Sequence, residues 1–142
     1  GSDEHGNTYA KTYWLSTHFK VNWNEAKTIC HSYGMQLVSL ESLQEANRLL
    51  RFCDQNIELL GRWTHVGAIT TVGKSKLDWF WVENGKRVNF ELKFGTNQPD
   101  NAGNKEMCLT IGIQDNSFAF NDLDCNGERS LTFICQTIEN IY

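Results

Sequence analysis

Between Gln98 and Cys125 the chain reads QPDNAGNKEMCLTIGIQDNSFAFNDLDC, and the residue types able to do chemistry are concentrated there. Gln98, Asp100, Glu106, Asn121 and Asp122 offer side-chain carbonyl or carboxylate oxygens. That is the donor set of a hard cation, and calcium takes roughly 6–8 oxygen ligands, the remainder coming from backbone carbonyl, water or a ligand hydroxyl. Pro99, the only proline, separates the first two donors, where a cis bond would turn both side chains to one side. The same residue types build ordinary surface turns, because Asn, Asp, Gly and Pro satisfy turn geometry and solvate well. The cysteine frame around the stretch is what sets it apart.

Catalysis is the competing chemistry. His5, His18, His31 and His65 are available as general bases, and Glu106 with Asp122 could form the carboxylate pair of glycoside hydrolysis. Carboxylates committed to a cation stay ionised and make poor acids. His65 lies in an apolar strand and reads as a packed core residue, and His31, on a helix, reads as solvated. With no nucleophile motif or glycine-rich phosphate loop, the expectation is a binding module and not an enzyme.

A length of 142 residues points to one domain able to bury its own core. Residues 1–8 read as a flexible N-terminus opening on a Gly1-Ser2 tag remnant, and residues 9–142 as the domain. A net charge of -4 with thirteen scattered basic residues argues against nucleic acid, which needs clustered cations to neutralise phosphates. No apolar run approaches the ~20 residues of a membrane span. Five cysteines, at 30, 53, 108, 125 and 135, lack the spacing of a zinc site. They suit a disulfide-bonded, exported protein whose leader has been removed.

The elements that must position the oxygens follow from pattern. Tyr9, Tyr13, Leu15 and Phe19 alternate like the edge strands of a hairpin. Asn22-Trp23-Asn24-Glu25 is a capping box opening a helix to about Tyr33, with Trp23, Ala26, Cys30 and Tyr33 on its apolar stripe and Gly34 as its stop. Gln36 to Leu40 predicts a short strand. Ser42 to Glu45 repeats the capping box for a second helix ending near Gln55, with Ala46, Leu49, Leu50 and Cys53 on one face. Strands follow at 64–69 and 77–83, the latter closed by the Asn84-Gly85 turn. An irregular lead runs from Phe90 to Gly95. Alternating strands at 108–113, 118–122 and 131–136 then form an antiparallel set. The class is α+β, two helices before a mostly antiparallel sheet.

Four cysteines allow three pairings. The preferred one joins Cys30 to Cys135 and Cys108 to Cys125, since the chain-entropy model rewards the long loop by about 4–5 kcal/mol and the short one by about 3 kcal/mol. Cys53 then reads as a buried free thiol behaving as a small hydrophobe. The alternative is a link between two protomers.

From Tyr9 to Gln136 the chain resembles the C-type lectin family. The resemblance rests on the first-helix and last-strand cysteines, His65-Val66-Gly67 in place of a Trp-Ile-Gly-like strand, and the tripeptide Gln98-Pro99-Asp100. It rests also on Glu106 just before Cys108, and on Phe120-Asn121-Asp122 in place of a Trp-Asn-Asp-like strand. His65 and Phe120 depart from tryptophan, which touches packing more than ligation. The resemblance implies a double-loop fold with two helices, antiparallel sheets and a long calcium-binding loop region. One calcium would be held by Gln98, Asp100, Glu106, Asn121 and Asp122, and sugar would bind it through two vicinal hydroxyls while hydrogen-bonding Gln98, Asp100, Glu106 and Asn121. A Gln-Pro-Asp order implies galactose-type glycans. No stacking aromatic lies in 101–105, so Phe118 is the nearest candidate and binding is expected to be weak and avidity-dependent. Met107, Asn101 and Thr70-Thr71 stand where an auxiliary calcium site would need acids, leaving a single site. The implied role is that of a small secreted insect lectin meeting microbial or cell-surface glycoconjugates. Valency would come from Cys53 or a noncovalent homo-oligomer, and the alternative is a lectin-like domain for protein or lipid surfaces without sugar.

Overall fold

The first helix begins where the chain supplies its own cap. In the computed structural model, which describes residues 8–16, 20–56, 58, 63–70, 78–90, 106–114, 117–126 and 131–141, α1 spans Trp23–Ser32. The Asn22 Oδ1 accepts from the Glu25 amide at 2.8 Å, and Glu25 Oε1 accepts from the Asn22 amide at 3.1 Å. Two otherwise unpaired donors are thereby satisfied reciprocally. At the far end Met35 N donates to Cys30 O and Gly34 N to His31 O, a Schellman stop that needs the positive φ of 72° at Gly34. Trp23, Ala26 and Cys30 are buried as expected, but Tyr33 is 65% exposed. As the C-cap it has left helical geometry, so the stripe no longer carries it inward.

The second helix, α2, spans Leu43–Gln55 and opens on Ser42, whose Oγ accepts from the Glu45 amide at 3.1 Å. The reciprocal half of the expected box is absent. Glu45 is buried and sends Oε2 to the Glu41 amide at 3.0 Å, while its Oε1 accepts from Lys11 Nζ at 2.7 Å and Tyr13 Oη at 2.8 Å. A buried cation outcompetes the N-cap amide because charge-assisted bonds are roughly twice as strong.

The strands are β1 (Thr8–Leu15), β2 (Gln36–Leu37), β3 (Trp63–Thr70), β4 (Trp79–Trp81), β5 (Glu106–Gln114), β6 (Ser117–Asp124) and β7 (Thr132–Ile141). They form one sheet in the order β1-β7-β3-β5-β6, with β2 on β7 and β4 on β3. Three expectations are corrected here. The N-terminal alternation is one strand paired along its length with the last, from Thr8↔Ile141 to Leu15↔Ile134, and not a hairpin. Alternation fixes a face but names no partner. The set at 108–136 is not three neighbours: β5 pairs β6, whereas β7 pairs β1 and β2 antiparallel and β3 in parallel, so the sheet is mixed. Finally, 38–40 is buried but outside the ladder, Val38 N donating to Ile134 O at 3.0 Å.

Gly67 fixes how tightly these layers meet. A Cβ there would stand 2.8 Å from Val38 O and 3.0 Å from Leu37 O, and Gly67 N donates to Val38 O at 2.9 Å while its carbonyl accepts from Val82 N at 2.8 Å. The β3–β5 register breaks between His65 and Ile69, so Gly67 bonds outside that ladder. One apolar cluster joins α2 to β3, β4 and β5 through Leu49, Val66, Trp79, Trp81 and Leu109. A second gathers Trp23, Leu37 and Phe133 about Cys30, Cys108 and Cys135.

Candidate functional site

The β5–β6 pair is the scaffold of the candidate site. Its register runs from Gln114↔Ser117 to Cys108↔Leu123 and then shifts by one residue before Glu106↔Asp124. The extra residue, Met107, makes a bulge of the kind that re-aims neighbouring side chains. Cys108 and Cys125 are bridged across this end, with Cα atoms 5.4 Å apart. Cys30 and Cys135 are bridged between α1 and β7, and Cys53 is free and buried. Burial pushes the Cys53 thiol up to about 12, so it stays protonated and unreactive at neutral pH.

Asn121 and Asp122 lie side by side on β6, with 9% and 0% exposure. Asn121 is opposite Thr110, whose hydroxyl donates to the Asn121 main-chain carbonyl at 3.1 Å. The Asn121 Oδ1 is buried without a hydrogen-bond partner. An acceptor left in that condition costs about 1–3 kcal/mol. Adjacent strand residues face opposite ways, so gathering both residues about one ion asks for local twist or for a main-chain carbonyl, a normal calcium ligand. Glu106 opens β5 at the bulge, and Phe118 is on β6 opposite Ile113. Their side chains lie outside what the structure describes, as do Gln98, Pro99 and Asp100 entirely. Among the described residues no group of three His, Cys, Asp or Glu side chains could hold a metal.

The two described histidines, His31 and His65, are structural, and His5 and His18 lie outside the described residues. His65 is fully buried on β3, its Nε2 lying 2.8 Å from Val21 O. A carbonyl only accepts, so that nitrogen carries the proton, and Nδ1 is left without a partner. Burial pulls the ring down to about 4 against a smaller upward pull from Val21. His31 is half-exposed, and its Nε2 meets Glu83 Oε1 at 2.7 Å, tying α1 to the turn after β4.

Two features were not read from sequence. One is the polar network around Lys11, which donates to Ser39 O at 2.6 Å as well as to Glu45. The other is the groove beside it. Strand alternation does put Lys11 on the face of Tyr13 and Leu15, but the partners are 28 to 34 residues away, and no local pattern pairs them.

With this geometry established, residues 19–137 match the family model of the Lectin C-type domain, and the chain belongs to the C-type lectin domain family. C-type lectin 37Da of Drosophila melanogaster is 27% identical over 131 residues, covering 89% of this chain and 68% of that protein. C-type lectin 37Db of the same organism is 30% identical over 129 residues, covering 89% and 77%. The fold matches the C-type lectin domain of murine dendritic cell inhibitory receptor 2, solved with an N-glycan, at a TM-score of 0.73 and 19% identity over 92% of each chain. The fold is therefore C-type lectin-like and α+β. Members of this family are in general non-enzymatic, calcium-dependent carbohydrate binders, with roles in innate immunity.

Proposed function

We propose that this chain binds galactose-type glycans through one calcium ion held by Gln98, Asp100, Glu106, Asn121 and Asp122. The observation that carries the reading is the orphaned, buried Asn121 Oδ1 beside buried Asp122 on a disulfide-braced strand. A neutral amide oxygen and a carboxylate suit a hard cation, and an ion there would relieve the unpaired acceptor. When bound, the calcium supplies a docking point for two vicinal sugar hydroxyls. The protein side chains do the discriminating: the Gln98 amide donates to one hydroxyl and Asp100 accepts from the other. This order favours an axial 4-hydroxyl over the mannose arrangement. With no aromatic in 101–105 and Phe118 the nearest candidate in the sequence, each site is weak, and a secreted protein of this kind would recognise or agglutinate microbial glycoconjugates through several copies.

The test is elution from immobilised galactose in calcium, together with calcium titration calorimetry. Galactose should release the protein and mannose should not, chelation should release it fully, and Asp100→Ala should weaken both calcium and sugar at least tenfold. Retention on the column through chelation refutes the reading. Because Asp100, Glu106 and Asp122 must be ionised to hold the metal, protons compete as pH falls, and retention should weaken in mild acid.

A further inference from the structure

A groove of about 600 Å³ runs between β1 and α2, lined by Lys11, Tyr13, Leu15, Arg48, Leu49 and Phe52 among others. It is far from the lectin site in the sheet order, because β1 and β6 are the two ends of that order. Its volume lies within the roughly 300–1,000 Å³ of small-molecule pockets.

The charges along the groove are almost all satisfied internally. Lys11 Nζ, on a side chain only 5% exposed, meets Glu45 Oε1 at 2.7 Å and Glu41 Oε1 at 3.3 Å, and the Tyr13 hydroxyl takes the same Glu45 oxygen. A ligand finds no free partner at that end. Arg48, by contrast, is exposed and forms no ion pair with any described residue. Arg51, one turn along, joins it with Gln44 and Asn47 around an adjoining cleft of about 300 Å³. The remaining described lining is exposed Thr12 and an apolar stretch of Leu15, buried Leu49, and Phe52, which is 42% exposed.

A groove with an apolar stretch, whose unpaired charges among the described residues are the Arg48 guanidinium and its neighbour Arg51, selects a specific kind of molecule. We propose that the groove binds a single-chain amphipathic anion, a fatty-acid carboxylate, with its acyl chain along Leu15, Leu49 and Phe52 and its head group on Arg48. The planar guanidinium fork matches a carboxylate bidentately. A cationic amphiphile would meet two arginines. A second copy of the chain is disfavoured, since an isologous contact through this face of α2 would gather Arg48 and Arg51 of both copies into one interface.

The experiment titrates dodecanoate, well below its micelle concentration, into the full chain in chelator by calorimetry, with and without galactose. One saturable site is expected, unchanged by galactose and present with the proposed calcium site empty, so its outcome is independent of the lectin reading. Arg48→Gln should weaken dodecanoate at least tenfold while leaving neutral dodecanol unaffected, and Phe52→Ser should weaken both, with circular dichroism verifying that each variant is folded. The proposal is overturned by the absence of saturable binding, by an Arg48→Gln variant as tight as the parent, or by equal affinity for dodecyltrimethylammonium. Capture on anionic phospholipid vesicles without binding of free dodecanoate would make the groove a membrane surface instead. A dimer dissociated by Phe52→Ser but not by dodecanoate would make it a self-association face.

Discussion

His65 and Asn121 each bury an atom without a partner, and the two respond to opposite conditions. For His65 the folded value is about 4 against an ordinary 6.5, so the fold favours the neutral ring and the unfolded chain takes up the proton first. Its stability is therefore intact above about pH 6.5 and is lost as pH falls toward 4. At about 1.4 kcal/mol per unit the loss is about 3 kcal/mol. Urea unfolding in chelator at pH 7 and pH 4 should show the parent losing that much more than His65→Phe, and parallel losses would remove His65 from the account. Asn121, as a proposed ligand, is expected to respond to calcium instead. In chelator, Asn121→Leu should stabilise the fold by about 1–3 kcal/mol, because a buried acceptor that had no bond is removed. In calcium at 100 times its Kd, the parent should gain about 2.7 kcal/mol that the variant does not. A variant stabilised equally by calcium would show that this oxygen is not a ligand.

At the scale of elements, the join between β1 and α2 centres on Glu45, which accepts from both Lys11 and Tyr13. Lys11 and Glu45 have side chains only 5% and 9% exposed, and removing one member of a buried pair strands the other, at about 3–5 kcal/mol. Lys11→Met should cost that much in urea unfolding, and adding Glu45→Leu should recover most of it. A single variant as stable as the parent would mean that water reaches Glu45. The same pair marks where sequence stops being legible. The cap of α1 could be read because Asn22 and Glu25 are three residues apart, and the turn at Gly85 because Asn84-Gly85 is a local signal, met here by a φ of 71°. The helical stripes read correctly wherever the residue was still helical, and failed at Tyr33, where it was not. Among strand partners, the antiparallel pairing of β5 with β6 was legible because the two are adjacent in sequence, but the partners of β1 and β7 were not. β7 takes β1 and β3 on its two sides, and nothing in ten alternating residues encodes that choice. For the site, Asn121 and Asp122 were legible as donor types, but the orphaned state of Oδ1 depends on how β5 and β6 pack.

At the scale of the whole molecule, the two disulfides divide the work of holding the fold and holding the site. Cys30–Cys135 spans 105 residues and ties α1 to β7, the strand that contacts β1, β2 and β3. Cys108–Cys125 spans 17 and closes only the end of β5 and β6. In the chain-entropy model the first restricts the unfolded state by about 4.7 kcal/mol and the second by about 3 kcal/mol. The second bridge also fixes the strand that carries Asn121 and Asp122, three or four residues before Cys125, so its loss should fall on the proposed ligand set. Replacing Cys30 and Cys135 by alanine should lower the urea midpoint most, while leaving calcium affinity of the folded fraction within about threefold. Replacing Cys108 and Cys125 should cost less global stability but weaken calcium by at least tenfold, because the ordering of the site must then come from binding itself. In the folded state buried Cys53, with its thiol pushed up to about 12, is too protonated to attack the remaining bridge, so the calcium affinities of the two folded variants can be compared without reshuffling. If the long-loop variant lost calcium and the short-loop variant kept it, the oxygens of β6 would not be the ones that hold the ion.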